Sequence, residues 1–236
     1  MAIKTVLFDL DGTLLPMDQE KFTEIYFKNL AIKAAPLGYE PESFVKNIWA
    51  GTVAMVKNDG SRANEQAFWD YFCSVYGQNA INHKPLFDEF YSNEFGLAKA
   101  ACNPTENSAK VIKMLKANGV DCVLATNPLF PGVATQNRIK WAGLEPDDFL
   151  LYTTYENSGF CKPNPKYYSE ILEKLNLDPE DCLMVGNDVI EDMVAQKLGM
   201  KVFLLTDCII NKENKDISQY PNGGFDELIK YLEENC

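Results

Sequence analysis

A short apolar run rich in β-branched residues, Ile3 to Leu10, closes on Asp9-Leu10-Asp11-Gly12-Thr13. The run reads as a buried strand, and two carboxylates at the end of such a strand constrain the fold more than any other feature of the chain. Open α/β sheets bind ligands at the carboxyl ends of their strands, and Gly12 lets the backbone turn sharply at that point. Side chains two apart on a strand point the same way. Asp9 and Asp11 therefore face one ligand if the extended geometry persists past Leu10. An acidic turn after a strand would leave the same trace.

Further strands are predicted at Val120 to Ala125, Phe149 to Thr153, Cys182 to Val185 and Lys201 to Leu205. Helical spacing covers Asn107 to Asn118, Pro131 to Trp141, Lys166 to Leu175, Asp188 to Leu198 and Phe225 to Leu232. Gly119, Gly143 and Gly199 follow three of these and suit helix C-caps. Strand followed by helix, repeated from residue 103 onward, predicts a parallel α/β sheet. The stretch from Pro16 to Tyr91 differs, with apolar residues at three-and-four spacing (Phe22, Ile25, Tyr26, Leu30) and many aromatics, among them Trp49, Phe68, Trp69 and Phe72. It reads as a cluster of helices inserted after the first strand. The 236 residues allow such an insertion in one domain, at about 150 residues per domain.

Three more strand-end motifs follow. Val123-Leu124-Ala125 runs into Thr126-Asn127-Pro128, whose hydroxyl and amide can donate to a phosphate oxygen; residues of these types also bond their own backbone at turns. Cys161-Lys162-Pro163-Asn164-Pro165 holds a lysine in a loop stiffened by prolines, where it either aims at one point or lies on the surface. Leu183-Met184-Val185-Gly186-Asn187-Asp188 continues to Asp192, and residues four apart share a helix face. Acids there also favour a helix N-terminus through the dipole.

Composition removes several classes. Lys plus Arg total 22 against 34 Asp plus Glu, a net charge of -12 that repels nucleic acid and anionic membrane. An anionic substrate would then need local cations, backbone amides or a metal ion to be held. No stretch approaches the roughly 20 apolar residues of a membrane span, and the first residues lack a signal-peptide pattern, so a cytoplasmic location is expected. The seven cysteines include no C-x-x-C pair and read as buried thiols. A single histidine, His83, and the lack of G-x-S-x-G leave no basis for serine-histidine-acid hydrolysis.

In order and spacing the four motifs resemble the haloacid dehalogenase superfamily of phosphotransferases, over residues 1–15 and about 103–206. The resemblance implies a Rossmann-like core of residues 1–15 and 92–236 with a smaller all-helical cap of residues 16–91. It implies Asp9 as nucleophile, Asp11 as general acid and base, and Lys162 as a third catalytic residue. Phosphate would be held by Thr126, Asn127, Lys162 and amides near Gly12. Magnesium would be held by Asp9, the main-chain carbonyl of Asp11, and Asp188, with Asn187 and Asp192 as outer or alternative ligands. The chain departs from the family in carrying Gly186-Asn187 where Gly-Asp is frequent, which moves the ligand acid to Asp188.

The implied activity is magnesium-dependent hydrolysis of a small phosphorylated metabolite through an aspartyl phosphate. Family dehalogenases lack the second aspartate, so Asp11 favours phosphoryl transfer. A phosphomutase keeps both aspartates and stays an alternative, as does a phosphate-binding regulatory module without turnover. Asp9 to Thr126 spans 117 positions and Thr126 to Lys162 only 36, which leaves the room for a cap between the first two motifs. Within the cap, Gly51 to Arg62 is expected to face the core, with Lys57 and Arg62 either touching substrate or standing as ordinary solvated charges.

Overall fold

The computed structural model describes Ala2 to Cys236; Met1, the first residue of the expected core, lies outside the described residues. Strand β1 (Thr5–Phe8) is buried at every position, with three apolar residues following a β-branched threonine. It is flanked on one side by β2 (Asp121–Leu124) and on the other by β3 (Cys182–Gly186), β4 (Lys201–Leu205) and a two-residue β5 (Asn222–Gly223). All pairings are parallel, in the order β2-β1-β3-β4-β5. The chain leaves β1 toward one neighbour and returns to the other, so the order reverses there and a crevice opens beyond the carboxyl ends of β1 and β3.

Helices α1 (Gln19–Ala34), α2 (Pro41–Val56), α3 (Asn64–Tyr76) and α4 (Lys84–Ser92) form the helical insertion, and α5 (Glu106–Ala117), α6 (Gly132–Trp141), α7 (Pro165–Leu175) and α8 (Phe225–Asn235) belong to the sheet layer. The chain enters and leaves the insertion through a two-stranded neck. There Met17 pairs antiparallel with Cys102, the Asp18 amide donates to the Ala101 carbonyl (2.9 Å), and the Asn103 amide donates to the Pro16 carbonyl (2.8 Å). A 3-10 segment, Glu94–Ala101, continues the helical run past residue 91 and packs on α1. The aromatics of the insertion fill its own interior: Phe44, Phe72 and Phe90 are fully buried, each burial contributing about 1.5–3 kcal/mol. Stacking of Phe95 on Trp141 (5.3 Å) joins this interior to α6.

Two expected elements differ. The Phe149 to Thr153 strand is reduced to one bridge, Tyr152 with Leu124, although Leu150 and Thr153 still donate to carbonyls of β2. At this sheet edge Leu150 is exposed, and the Thr153 hydroxyl turns back to the Thr126 carbonyl (2.6 Å). The helix expected over Asp188 to Leu198 begins only at Met193, as a 3-10 turn. Asp188 Oδ1 accepts the Ile190 and Glu191 amides (2.7 and 2.9 Å), and Asp192 Oδ2 accepts the Asp188 amide (2.9 Å), so side chains take the donors a helix would use.

All seven cysteines are free thiols, and burial pushes Cys122 and Cys161 up to about 12. His83 accepts or donates at Nδ1 to the Tyr39 hydroxyl (2.6 Å) inside the insertion. No described helix is long and apolar enough to cross a membrane.

Candidate active site

The carboxyl ends of β1, β2 and β3 bring Asp9, Asp11, Thr126, Asn127, Asn187, Asp188 and Asp192 to one cavity of about 340 Å³. The Asp9 amide donates to the Val185 carbonyl (2.9 Å), so the strand pairing carries on one residue past β1 and aims its carboxylate outward. Asp9 Oδ1 accepts the Lys162 ammonium (2.8 Å), and Thr13 Oγ1 lies 3.3 Å from Asp9 Oδ2 and 3.0 Å from Asn187 Oδ1.

Lys162 is buried with its ammonium between Asp9 and Asp192 Oδ1 (2.6 Å). Burial alone would lower that ammonium; Asp192 first and Asp9 next outweigh it and hold it well above the usual lysine value. Burial pushes the Asp192 carboxyl up, with Lys162 pulling it back. Gly186 makes this packing possible, because a Cβ there would overlap the Asp192 carboxylate.

Asp11 has different surroundings. Its Oδ2 is ion-paired with the Nη1 of Arg138, a fully buried residue of α6, whose guanidinium also lies over the Phe130 ring at 4.5 Å. Its Oδ1 is buried and has no hydrogen-bond partner among the described residues. Burial raises the Asp11 carboxyl, Arg138 opposes that, and the Asp9 charge adds to it, leaving it raised.

The remaining expected residues divide. Thr126 lines the cavity, while its carbonyl accepts from Thr153 (2.6 Å) and Tyr167 (2.9 Å). Asn127 also lines it, but its amide donates to Glu191 Oε2 (3.0 Å) and its carbonyl accepts the Lys162 amide (3.3 Å), which braces the second, third and fourth motifs together. Gly12 takes a positive φ of 92°, a Cβ there would strike Asn187, and its own amide donates to the Leu15 carbonyl (2.8 Å). The neighbouring amides of Leu10 and Asp11 donate to no acceptor among the described residues.

Lys57 and Arg62 do not line the cavity: both are exposed, and Arg62 pairs with Asp70 (2.6 Å). Their loop does meet the core, at the segment leading to Lys162, where the Asn64 amide donates to the Ser158 carbonyl (2.9 Å). Of Gly51 to Arg62, only Thr52 reaches the cavity.

Sequence reasoning also missed Arg138, Glu191 and the wall contributed by α1 and α2. Arg138 sits in the last turn of a helix, an ordinary place for a basic residue, so no local pattern distinguishes it from a solvated charge.

The cavity lining contains no histidine or cysteine, and no three His, Cys, Asp or Glu among the described residues form a ready metal cluster. Magnesium does not ask for one, since it takes one or two carboxylates and keeps several waters. Asp9, Asp188 and the Asp11 carbonyl form an all-oxygen donor set suited to that ion.

A parallel sheet with an inserted helical layer and an acidic crevice at its switch point is the architecture of an α/β enzyme whose ligand site lies beyond the strand ends. The family model described as haloacid dehalogenase-like hydrolase matches residues 3–199, and the chain belongs to that hydrolase family. It is 25% identical over 98% of its length to glyceraldehyde 3-phosphate phosphatase of Pyrococcus furiosus, covering 93% of that protein. Its fold is similar to a HAD phosphatase from Thermococcus onnurineus (TM-score 0.61, 19% identity, 98% of each chain). It is likewise similar to a 2-haloacid dehalogenase from Pseudomonas syringae (TM-score 0.63, 20% identity, 98% of this chain and 99% of that one).

Proposed function

We propose that the chain is a magnesium-dependent phosphatase acting on a small phosphate monoester through an aspartyl phosphate on Asp9. The observation that carries this reading is the pairing of two carboxylates on one cavity with opposite surroundings: Asp9 held by Lys162, Asp11 raised and presenting an unpartnered buried Oδ1. Such divergence is how two nearby acids take different roles.

Lys162 and Thr13 fix the two oxygens of Asp9, and one of these attacks phosphorus as the ester P–O bond breaks. Asp11 Oδ1 gives its proton to the departing alkoxide, then takes one from the water that attacks the aspartyl phosphate, releasing inorganic phosphate and restoring both acids. The Thr126 hydroxyl and the free amides of Leu10 and Asp11 hold phosphoryl oxygens. Magnesium, bound by Asp9, Asp188 and the Asp11 carbonyl, would screen the repulsion between carboxylate and phosphoryl group. The helical insertion acts as a cap hinged at the Met17/Cys102 neck, closing over the ester during transfer and admitting water once the alcohol has left.

The test is magnesium-dependent phosphate release from a panel of small phosphate esters, run beside Asp9→Asn. The variant is expected to lose about a thousandfold or more in kcat, as removal of a nucleophile does. Near-normal turnover in Asp9→Asn would sink the mechanism.

A further inference from the structure

The roof of the cavity differs from what a polyol phosphate or a carboxylate-bearing phosphate requires. Eight side chains of α1 and α2 line it, and none is charged. Its polar groups are also largely committed: Thr23 Oγ1 donates to the Gln19 carbonyl (2.7 Å) and Thr52 Oγ1 to the Ile48 carbonyl (3.1 Å). Tyr26 spends its hydroxyl on Tyr91 (2.9 Å), and Gln19 Nε2 reaches the Asp11 carbonyl (3.4 Å). Apart from the Trp49 indole N–H, the rest of the roof is hydrocarbon, capped by the tilted pair Phe27 and Trp49 (5.1 Å, 37°), with Trp49 half exposed.

The floor adds a charge constraint. Five carboxylates line the cavity against one lining ammonium among the described residues, that of exposed Lys212, while the buried Lys162 is already shared by Asp9 and Asp192. A substrate with a second anionic group would bring it into this acidic space, where the roof offers no cation and the one lining ammonium among the described residues, that of Lys212, is exposed to water and screened. A hydroxyl-rich leaving group would meet few free donors and lose water for little return. An aromatic ring loses nothing of the kind and gains area against Phe27, Trp49, Tyr26 and Phe130. The 340 Å³ is ample, since a cavity of about 150 Å³ accepts benzene.

Resting on the phosphatase reading above, we propose that the substrate is a phosphate monoester whose phosphate is its only anionic group and whose leaving group is an uncharged, apolar, ring-bearing alcohol, selected by Trp49 and Phe27. The second anionic groups and polyol chains of common sugar and acid phosphates are selected against by the same wall.

The experiment compares kcat/KM with magnesium for 2-phenylethyl phosphate, glycerol 3-phosphate and phosphoglycolate, all esters of primary alcohols, with Asp9→Asn beside them. The phenylethyl ester is expected to exceed both others by about tenfold or more, the scale of burying one aromatic side chain. Trp49→Ala should reduce that ratio at least fivefold, and Thr52→Arg should move preference toward phosphoglycolate. Asp9-dependent release that is equal for the three esters, or that favours glycerol 3-phosphate or phosphoglycolate, overturns the proposal while leaving the phosphatase reading intact. If no ester is turned over, thermal stabilisation by 2-phenylethylphosphonate is compared with that by phosphonoacetate. Selective stabilisation by the phenylethyl compound keeps the ligand class and removes the phosphatase reading, and no selectivity removes both.

Discussion

On the floor of the cavity five carboxylates crowd the ends of two strands, β1 and β3, whereas on its roof eight side chains from two helices carry no charge. The floor is electrostatically strained and held by two buried cations, Lys162 for Asp9 and Arg138 for Asp11. The roof is held by apolar packing behind it and spends its two threonine hydroxyls on its own backbone. Floor substitutions should therefore change the rate for every ester, and roof substitutions should change which ester is preferred. The two halves are divided between chemistry and selection.

The strongest way to break that division is Lys162→Met. It leaves Asp9 and Asp192 buried without their counterion, and removal of one partner of a buried pair costs about 3–5 kcal/mol. Turnover should fall at least as steeply as in Asp9→Asn, with no change in the ratio between esters; denaturant unfolding and steady-state kinetics read the two effects. A changed ratio would show that floor and roof are not separable.

Phe72→Ala acts on the other side. Phe72 is fully buried inside the insertion and packs on Phe44 and Trp69, so its loss should cost about 3–5 kcal/mol. Its kinetic effect is expected in KM more than in kcat, since the roof loses shape while Asp9 and Lys162 stay in place.

Arg138→Met and Arg138→Lys sharpen the comparison within the floor. Methionine removes the partner of Asp11 Oδ2 and should cost about 3 kcal/mol of stability with a kcat loss larger than the KM change. Lysine should recover part of the stability and less of kcat, because a point charge does not hold a carboxylate as a planar guanidinium does. Equal kcat in all three proteins would remove Arg138 from any positioning role.

The smallest effect is expected at the half-buried pair Lys33–Glu94 that ties α1 to the segment after α4. The Lys33 hydrogen bond, ahead of its charge, holds Glu94 below the usual glutamate value. A lowered folded-state pKa gives stability that is present above the unfolded glutamate pKa and lost as pH falls through the folded value. Lys33→Met should lower Tm slightly at neutral pH, and the difference from wild type should close as the solution is acidified through that range.

Much of the floor was legible in the sequence because strand geometry is local. A buried strand followed by Asp-x-Asp-Gly-Thr places two carboxylates at a sheet edge whatever else the chain does, and the glycine at 12 is required by its positive φ. Thr126 and Asp188 stand in the same way at the end of recognisable runs, whereas Lys162 was marked only by the prolines that stiffen its loop. The expected Asp188 helix was misread because side-chain acceptors outcompete backbone ones over Asp188 to Asp192, and sequence spacing does not weigh that contest.

Arg138 was beyond such reasoning, since its helix position is 127 residues from Asp11 and gives no sign of burial. Lys57 and Arg62 were chosen for charge within a loop expected to face the core, and the loop does so at the wrong place for the cavity. The sequence by itself determined the parallel sheet, the helical insertion and the acids at the strand ends, because burial, periodicity and turn chemistry act over a few residues. Tertiary structure alone decided which cation braces Asp11, which cap side chains face the acids, and that those side chains are uncharged. These depend on how two helices lie across a sheet, and that is set by long-range packing rather than by any local run.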